Sequence, residues 1–170
     1  MEESINNTLS SEAEYLSLED RQLWVTAFWG FRPQDAAFVG FSREGDRDRF
    51  FDLCKDGDLV LIYGTTDAEV QPEDRKRALG FLEIKKEKLR DAERMSENHR
   101  EWKRSRGLDE SWTYGVRVVR AWEIVQSITI KHITATDINV AVRGVILDGQ
   151  ERKTALSLSV REVNVYGEGR

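Results

Sequence analysis

The stretch LWVTAFWGF, residues 23–31, constrains the fold more than any other part of the chain. Read with period two, Leu23, Val25, Ala27, Trp29 and Phe31 share one face, and Trp24, Thr26, Phe28 and Gly30 share the other. Both faces are apolar, so the pattern predicts a strand covered on each side. One cover is a core. The other is either more core or a pocket walled by flat rings.

The segments downstream supply the covers. Arg32-Pro33 breaks the first strand, and AFVGFS (37–42) reads as a short one. GDRDRFFDLCKDGD predicts a helix over 46–54: Asp46 is a good N-cap, Phe50, Leu53 and Cys54 share a face, and Gly57 ends it. LVLIYG (59–64) follows at once as a buried strand. A helical turn is expected from Pro72, then a strand at RALGFLEI (77–84) next to 59–64. A helix is expected from about Ser96 to Arg106, stopped by Gly107.

WTYGVRVVRAWEIV (112–125) reads as a long strand, or as two joined by a bulge at Gly115. SITIKHI (127–133) continues in the β style, TDINVAVRG (136–144) is ambiguous, ERKTALSL (151–158) suits a short helix, and VREVNVYG (160–167) a closing strand. The expected class is α+β: a small, curved, mostly antiparallel sheet or barrel of about six strands with short flanking helices.

Charge divides the chain unevenly. The net charge is −5, but residues 1–20 carry six acids and no base. The remainder has 26 bases against 25 acids, so it does not repel a polyanion as a whole. Residues 1–20 are expected to be an acidic, partly disordered head, and 21–170 a single domain. The marked positive excess lies in Lys85–Arg106, with nine bases against five acids. Lys85, Lys86, Arg100, Lys103 and Arg104 are the candidate phosphate contacts there.

No apolar run has the length needed to cross a bilayer, so no membrane partner is expected. The head is acidic rather than signal-like, and the single cysteine, Cys54, forms no intrachain disulfide. Both fit a reducing compartment, so the expectation is cytoplasm. Cys54, His99 and His132 have no metal-ligand spacing, and there is neither a Walker loop nor a GxGxxG turn. No metal, cofactor or catalytic residue is therefore expected from motif evidence. One acidic pattern departs from this: Asp58 with Glu83-Ile84-Lys85 resembles the acid…E-x-K arrangement of Mg-dependent nucleases.

Aromatic residues cluster at expected strand ends: Trp29, Tyr63, Trp112 and Tyr114, with Ser42, Arg43 and Thr65 beside them. Such a set suits stacking on a planar ring, with polar groups reading its edge. It equally suits ordinary packing on pleated surfaces.

FWGF (28–31), KDGDLVLIYGT (55–65), ALGFLEI (78–84) and WTYGVRVVRAWEI (112–124), in that order, resemble the PUA-like superfamily, and within it the EVE-type domains, relatives of YTH and ASCH domains. GFSREGDRDRFFDL (40–53) takes the place of that family's helix, and the resemblance spans about residues 22–125, with REVNVYG (161–167) as a closing strand. It departs at Gly64-Thr65, where the family often carries His-Ser, and at Phe41-Ser42-Arg43, which replaces a V-R-N-like run.

The resemblance implies a pseudo-barrel that flips a modified base, such as a modified cytosine in DNA or a modified base in RNA, into an aromatic pocket. In that frame one face of the first strand is core and Trp29 leans into the pocket. Relatives often stand beside nucleases in defence against modified foreign DNA, so a separate nuclease or defence protein is an implied partner. ASCH-like relatives include small amidohydrolases, which leaves open a hydrolase built on Glu83 with Lys85 or Tyr63.

Overall fold

In a computed structural model of the protein, residues 14–18, 20–134 and 146–168 are described. Most of the acidic head and TDINVAVRG (136–144) lie outside the described residues. The strands are β1 (Leu23–Phe28), β2 (Phe38–Phe41), β3 (Leu59–Gly64), β4 (Ala78–Arg90), β5 (Tyr114–Ile124), β6 (Ile146–Leu147) and β7 (Val160–Val163). The helices are α1 (Glu44–Leu53), α2 (Glu97–Ser105), α3 (Ile130–Ile133) and α4 (Gly149–Leu156). The class is α+β. Among the described residues seven strands form a mostly antiparallel open sheet in the order β2-β5-β4-β3-β1-β6, with β7 pairing β5. As expected, the strand at 59–64 neighbours the one starting at Ala78.

Contacts group the chain into two compact units. The first comprises Met1–Phe31, Leu59–Phe81 and Trp122–Glu162, and the second Arg32–Asp58, Leu82–Ala121 and Val163–Arg170.

The first unit is built on β1 and β3, which run parallel from Leu23↔Leu59 to Phe28↔Gly64. All six β3 residues are buried, as are Leu23, Trp24, Val25 and Thr26 of β1. Burial on both faces is what an unbroken apolar run needs. Leu23, Val25, Leu59 and Leu61 pack with Phe81, Trp122, Ile130 and Leu156 in one apolar cluster. β6 pairs antiparallel with the other edge of β1.

SITIKHI was expected to continue in the β style; Thr129 does bridge Arg77, but Ile130–Ile133 form α3 instead. Ile130 and Ile133 are three residues apart and both buried, which a helical turn satisfies and an alternating strand does not.

In the second unit β2 pairs antiparallel with β5, from Phe38↔Arg117 to Phe41↔Tyr114. α1 starts at Glu44, two residues before the expected Asp46, so Arg43 occupies the N-cap and supplies no side-chain bond. Asp46 lies in the first turn with Glu44, where both carboxylates oppose the positive end of the helix dipole. Gly57 takes φ +87° after the helix, as its position suggested.

α2 follows its cues closely. The Ser96 hydroxyl accepts from His99 N at 3.2 Å, and Gly107 adopts φ +66° beyond its end. β4 continues to Arg90, well past the expected Ile84. Backbone pairing carries this run as a strand, although Lys85–Lys88 are all exposed and charged.

Shortening a β3 side chain tests the doubly buried pair. Leu61→Ala is expected to destabilise the protein by about 2–5 kcal/mol. Urea denaturation should show a lower midpoint with an unchanged slope.

Candidate functional site

Three of the seven predicted pocket residues belong to the first unit. Trp29 follows β1 directly and is half-buried. Tyr63, at 7% exposure, belongs to the apolar cluster around Phe81 and Trp122. Thr65 is half-buried; its N–H donates to the Phe28 carbonyl at 3.1 Å, and its hydroxyl accepts from Asp67 N at 3.3 Å.

Between these last two stands Gly64, one of the departures from the EVE-type pattern. Gly64 N donates to the Arg77 carbonyl at 3.0 Å, and the Gly64 carbonyl accepts from Lys76 N at 2.8 Å. A Cβ at Gly64 would run into the Asp74 backbone. No larger side chain fits under the returning loop.

The other four, Ser42, Arg43, Trp112 and Tyr114, belong to the second unit. There the structure brings Ser42 and Trp112 together: the Ser42 hydroxyl accepts from Trp112 N at 3.1 Å. Trp112 has φ +53°, the left-handed region that a bulky residue rarely adopts. Gly40 makes this approach feasible, because a Cβ there would sit 3.0 Å from Trp112 Cβ and 3.2 Å from its carbonyl oxygen. Arg43 is exposed at the start of α1.

Tyr114 pairs with Phe41 across β5 and β2. Its half-exposed ring lies 4.5 Å from the Arg90 guanidinium and 5.6 Å from that of Arg47. Arg47 is buried and ties the site together. It donates to the carbonyls of Leu89 and Gly115, each at 3.3 Å, and to the Asp48 carboxylate at 2.7 Å. Hydrogen bonds from Arg47, then from Lys88, hold the Asp48 carboxyl below its ordinary pKa.

The predicted phosphate contacts separate by burial. Lys85 and Lys86 are exposed on β4. Arg104 is exposed and meets Glu101 at 2.5 Å, while Arg100 is half-buried and 3.7 Å from Glu97. Lys103 faces inward. It is 2% exposed, with its ammonium on Asp91 at 2.7 Å and donating to the Ser111 carbonyl at 2.5 Å. That geometry makes Lys103 a structural cation.

Lys88 and Arg90, part of the same basic segment but not named as candidate contacts, stand exposed on β4 beside Lys86. Lys88 sits 4.8 Å from the Phe51 ring, which Lys86 approaches to 5.1 Å. The period-two spacing of Lys86, Lys88 and Arg90 was the available signal, obscured by ending the strand at Ile84.

Of the nuclease-like set, Asp58 and Glu83 are buried and Lys85 is exposed. Asp58 accepts from Lys55 N at 2.9 Å, closing the turn before β3. Among the described residues no three His, Cys, Asp or Glu side chains are grouped to hold a metal ion. Burial pushes the Cys54 thiol up to about 11, so it is a core group at neutral pH.

No family model and no curated protein matches the chain. Among solved structures it is similar to the protein Atu2648 from Agrobacterium tumefaciens, at 15% identity over 84% of this chain and 85% of that one, with a TM-score of 0.37. A likeness that loose carries no argument.

Two expectations follow. Lys103→Met leaves the Asp91 carboxylate without its cation and should cost about 3 kcal/mol, whereas Arg104→Glu should cost about 1 kcal/mol or less. Chemical denaturation of both variants checks this.

The second concerns His99, whose ring stacks on Trp102 at 5.3 Å. Burial, then the Lys103 charge, lowers its pKa from the ordinary 6.5. The unfolded chain therefore takes up that proton first as pH falls. The stability associated with neutral His99 is complete above pH 6.5 and declines as pH drops from there toward the folded-state pKa. The melting temperature should fall across that window, and less so in His99→Gln.

Proposed function

We propose that this protein is a nucleic-acid-binding module that reads a modified base, most simply a modified cytosine in DNA or a modified base in RNA. The base leaves its stack and enters a site formed by Trp112 and Tyr114, with Ser42 and Arg43 at its edge. The resemblance to PUA-like, EVE-type domains motivates the reading, and a separate nuclease or defence protein is the partner it suggests.

The observation that carries it is the backbone of Trp112. A tryptophan held at φ +53° costs on the order of 1–3 kcal/mol and persists only where its surroundings enforce it. Here the Ser42 hydroxyl bonds its N–H, and the missing side chain of Gly40 makes room. Ordinary core packing needs no such device, because a tryptophan in extended backbone fills the same volume without strain. Strained residues concentrate at ligand clamps.

Tyr114, two residues on, adds a ring under two guanidiniums. A small modification is distinguished only if the base is extruded into a close-fitting site. Rings return about 1–3 kcal/mol per stacked base, which offsets part of the unstacking cost. Edge groups such as the exposed Ser42 and Arg43 then read the hydrogen-bonding edge of the flipped base.

Trp112→Ala is expected to abolish the preference for modified over plain oligonucleotide, a change of about tenfold to a hundredfold. Binding of the plain oligonucleotide should remain. Fluorescence anisotropy with matched oligonucleotides measures both, and circular dichroism checks that the variant is folded. A folded variant with an unaltered preference would falsify the reading.

A further inference from the structure

We infer that the outer half of β4 is a track for the backbone of single-stranded nucleic acid, with Lys86, Lys88 and Arg90 on successive phosphates and Phe51 and Tyr114 under the bases. The inference rests on the base-reading proposal only in taking nucleic acid as the ligand.

Spacing is the first argument. Lys86, Lys88 and Arg90 alternate along one strand and are all exposed. Alternate residues of a strand lie about 7 Å apart on the same face. That is comparable to the separation of successive phosphates in an extended single strand.

The rings are the second. The half-exposed Phe51 of α1 lies 5.1 Å from Lys86 Nζ and 4.8 Å from Lys88 Nζ. Tyr114 lies 4.5 Å from the Arg90 guanidinium. Each end of the row thus has a ring with cations lying over it, and rings and cations together are what hold single strands without sequence preference. Paired bases in a duplex stack on one another and have no use for such rings.

The neighbouring charges are the third. Asp48 of α1 meets Lys88 at 3.1 Å and is shared with Arg47. Lys86 Nζ donates to the Cys54 carbonyl at 3.1 Å. Asp56 and Glu93 accept from the backbone N–H groups of Lys86 and Arg90. The intervening Glu87 is matched differently: it meets Arg117 at 3.0 Å, and Arg117 also bonds Glu168 at 2.8 Å. Around the even-numbered row Asp48, Asp56 and Glu93 stand against Lys86, Lys88, Arg90 and the buried Arg47, so cations exceed acids there by a single charge.

Direction is the fourth. Arg90 leads to Asp91, whose N–H donates to the Thr113 carbonyl at 3.0 Å, between Trp112 and Tyr114. A strand lying along β4 from Lys86 to Arg90 is delivered to the two rings assigned to the base.

The test uses the full chain and a fluorescein-labelled oligothymidylate, titrated over a range of salt concentrations, with a blunt duplex of equal length as comparator. The wild-type protein should favour the single strand. The triple variant Lys86→Gln/Lys88→Gln/Arg90→Gln should lose about 2 from the slope of log K against log salt, since each single-strand phosphate contact contributes about 0.7. Phe51→Ala should weaken binding and leave the slope unchanged. The double variant Lys131→Gln/Lys153→Gln, exposed cations of α3 and α4, should leave both unchanged.

An unaltered slope in a folded triple variant overturns the track, as does a duplex bound as tightly as the single strand. Absence of oligothymidylate binding by the wild type overturns it too. The preference for modified over plain base, measured in the same triple variant, separates the two proposals: a surviving preference with an unaltered slope removes the track and leaves base reading in place.

Discussion

The parallel pair of β1 and β3 is the constraint on which the first unit depends. Ten of its twelve residues are buried, so neither strand tolerates water on either face. Layers must therefore pack on both sides. Trp122, Ile130, Ile133, Leu156 and Val160 all join the cluster around Leu23, Leu59 and Leu61. Gly64 ends the pair because the Asp74 backbone returns against it. The Ile130–Ile133 turn is helical for the same reason: with Ile130 N bonded to the Lys76 carbonyl at 2.7 Å, both isoleucines must point one way.

The second unit rests on polar fastening as much as on apolar burial. Buried Arg47 bonds carbonyls of both β4 and β5, at Leu89 and Gly115. Lys103 does similar work beneath α2, joining Asp91 to the Ser111 carbonyl. Each places a full charge out of water, which is tolerable because an opposite charge and carbonyl oxygens accept from it. These two cations frame the segment 111–115, where Trp112 is strained and Tyr114 begins β5. A rigid frame is what a strained residue needs in order to persist.

Function reads differently in the two units. Tyr63 carried the strongest local motif, at the end of LVLIYG, and it lies in the apolar cluster. Ser42 and Trp112, separated by 70 residues, carried almost none, and they share a hydrogen bond. The exposed β4 row is visible as charge in the sequence, yet its meaning depends on Phe51 and Tyr114 standing beside it. Lys103 illustrates the converse: the same charge, three helical positions from half-buried Arg100 and next to exposed Arg104, is turned inward to Asp91.

Local chemistry by itself determined the parts of this protein whose signals are short-ranged. The two-sided burial of LWVT and LVLIYG, the Ser96 cap, the left-handed glycines at 57 and 107 and the α+β class all follow from side-chain type and spacing within a few residues. Tertiary structure decided the rest. It extended β4 through Lys85–Lys88 because backbone pairing outweighs the weak strand propensity of charged residues. It started α1 at Glu44, folded SITIKHI into a turn of helix, and divided equal cations between core and surface. Most of all it set Trp112 against Ser42 and Gly40. A left-handed tryptophan leaves no mark in sequence, because the energy that holds it comes from residues distant along the chain.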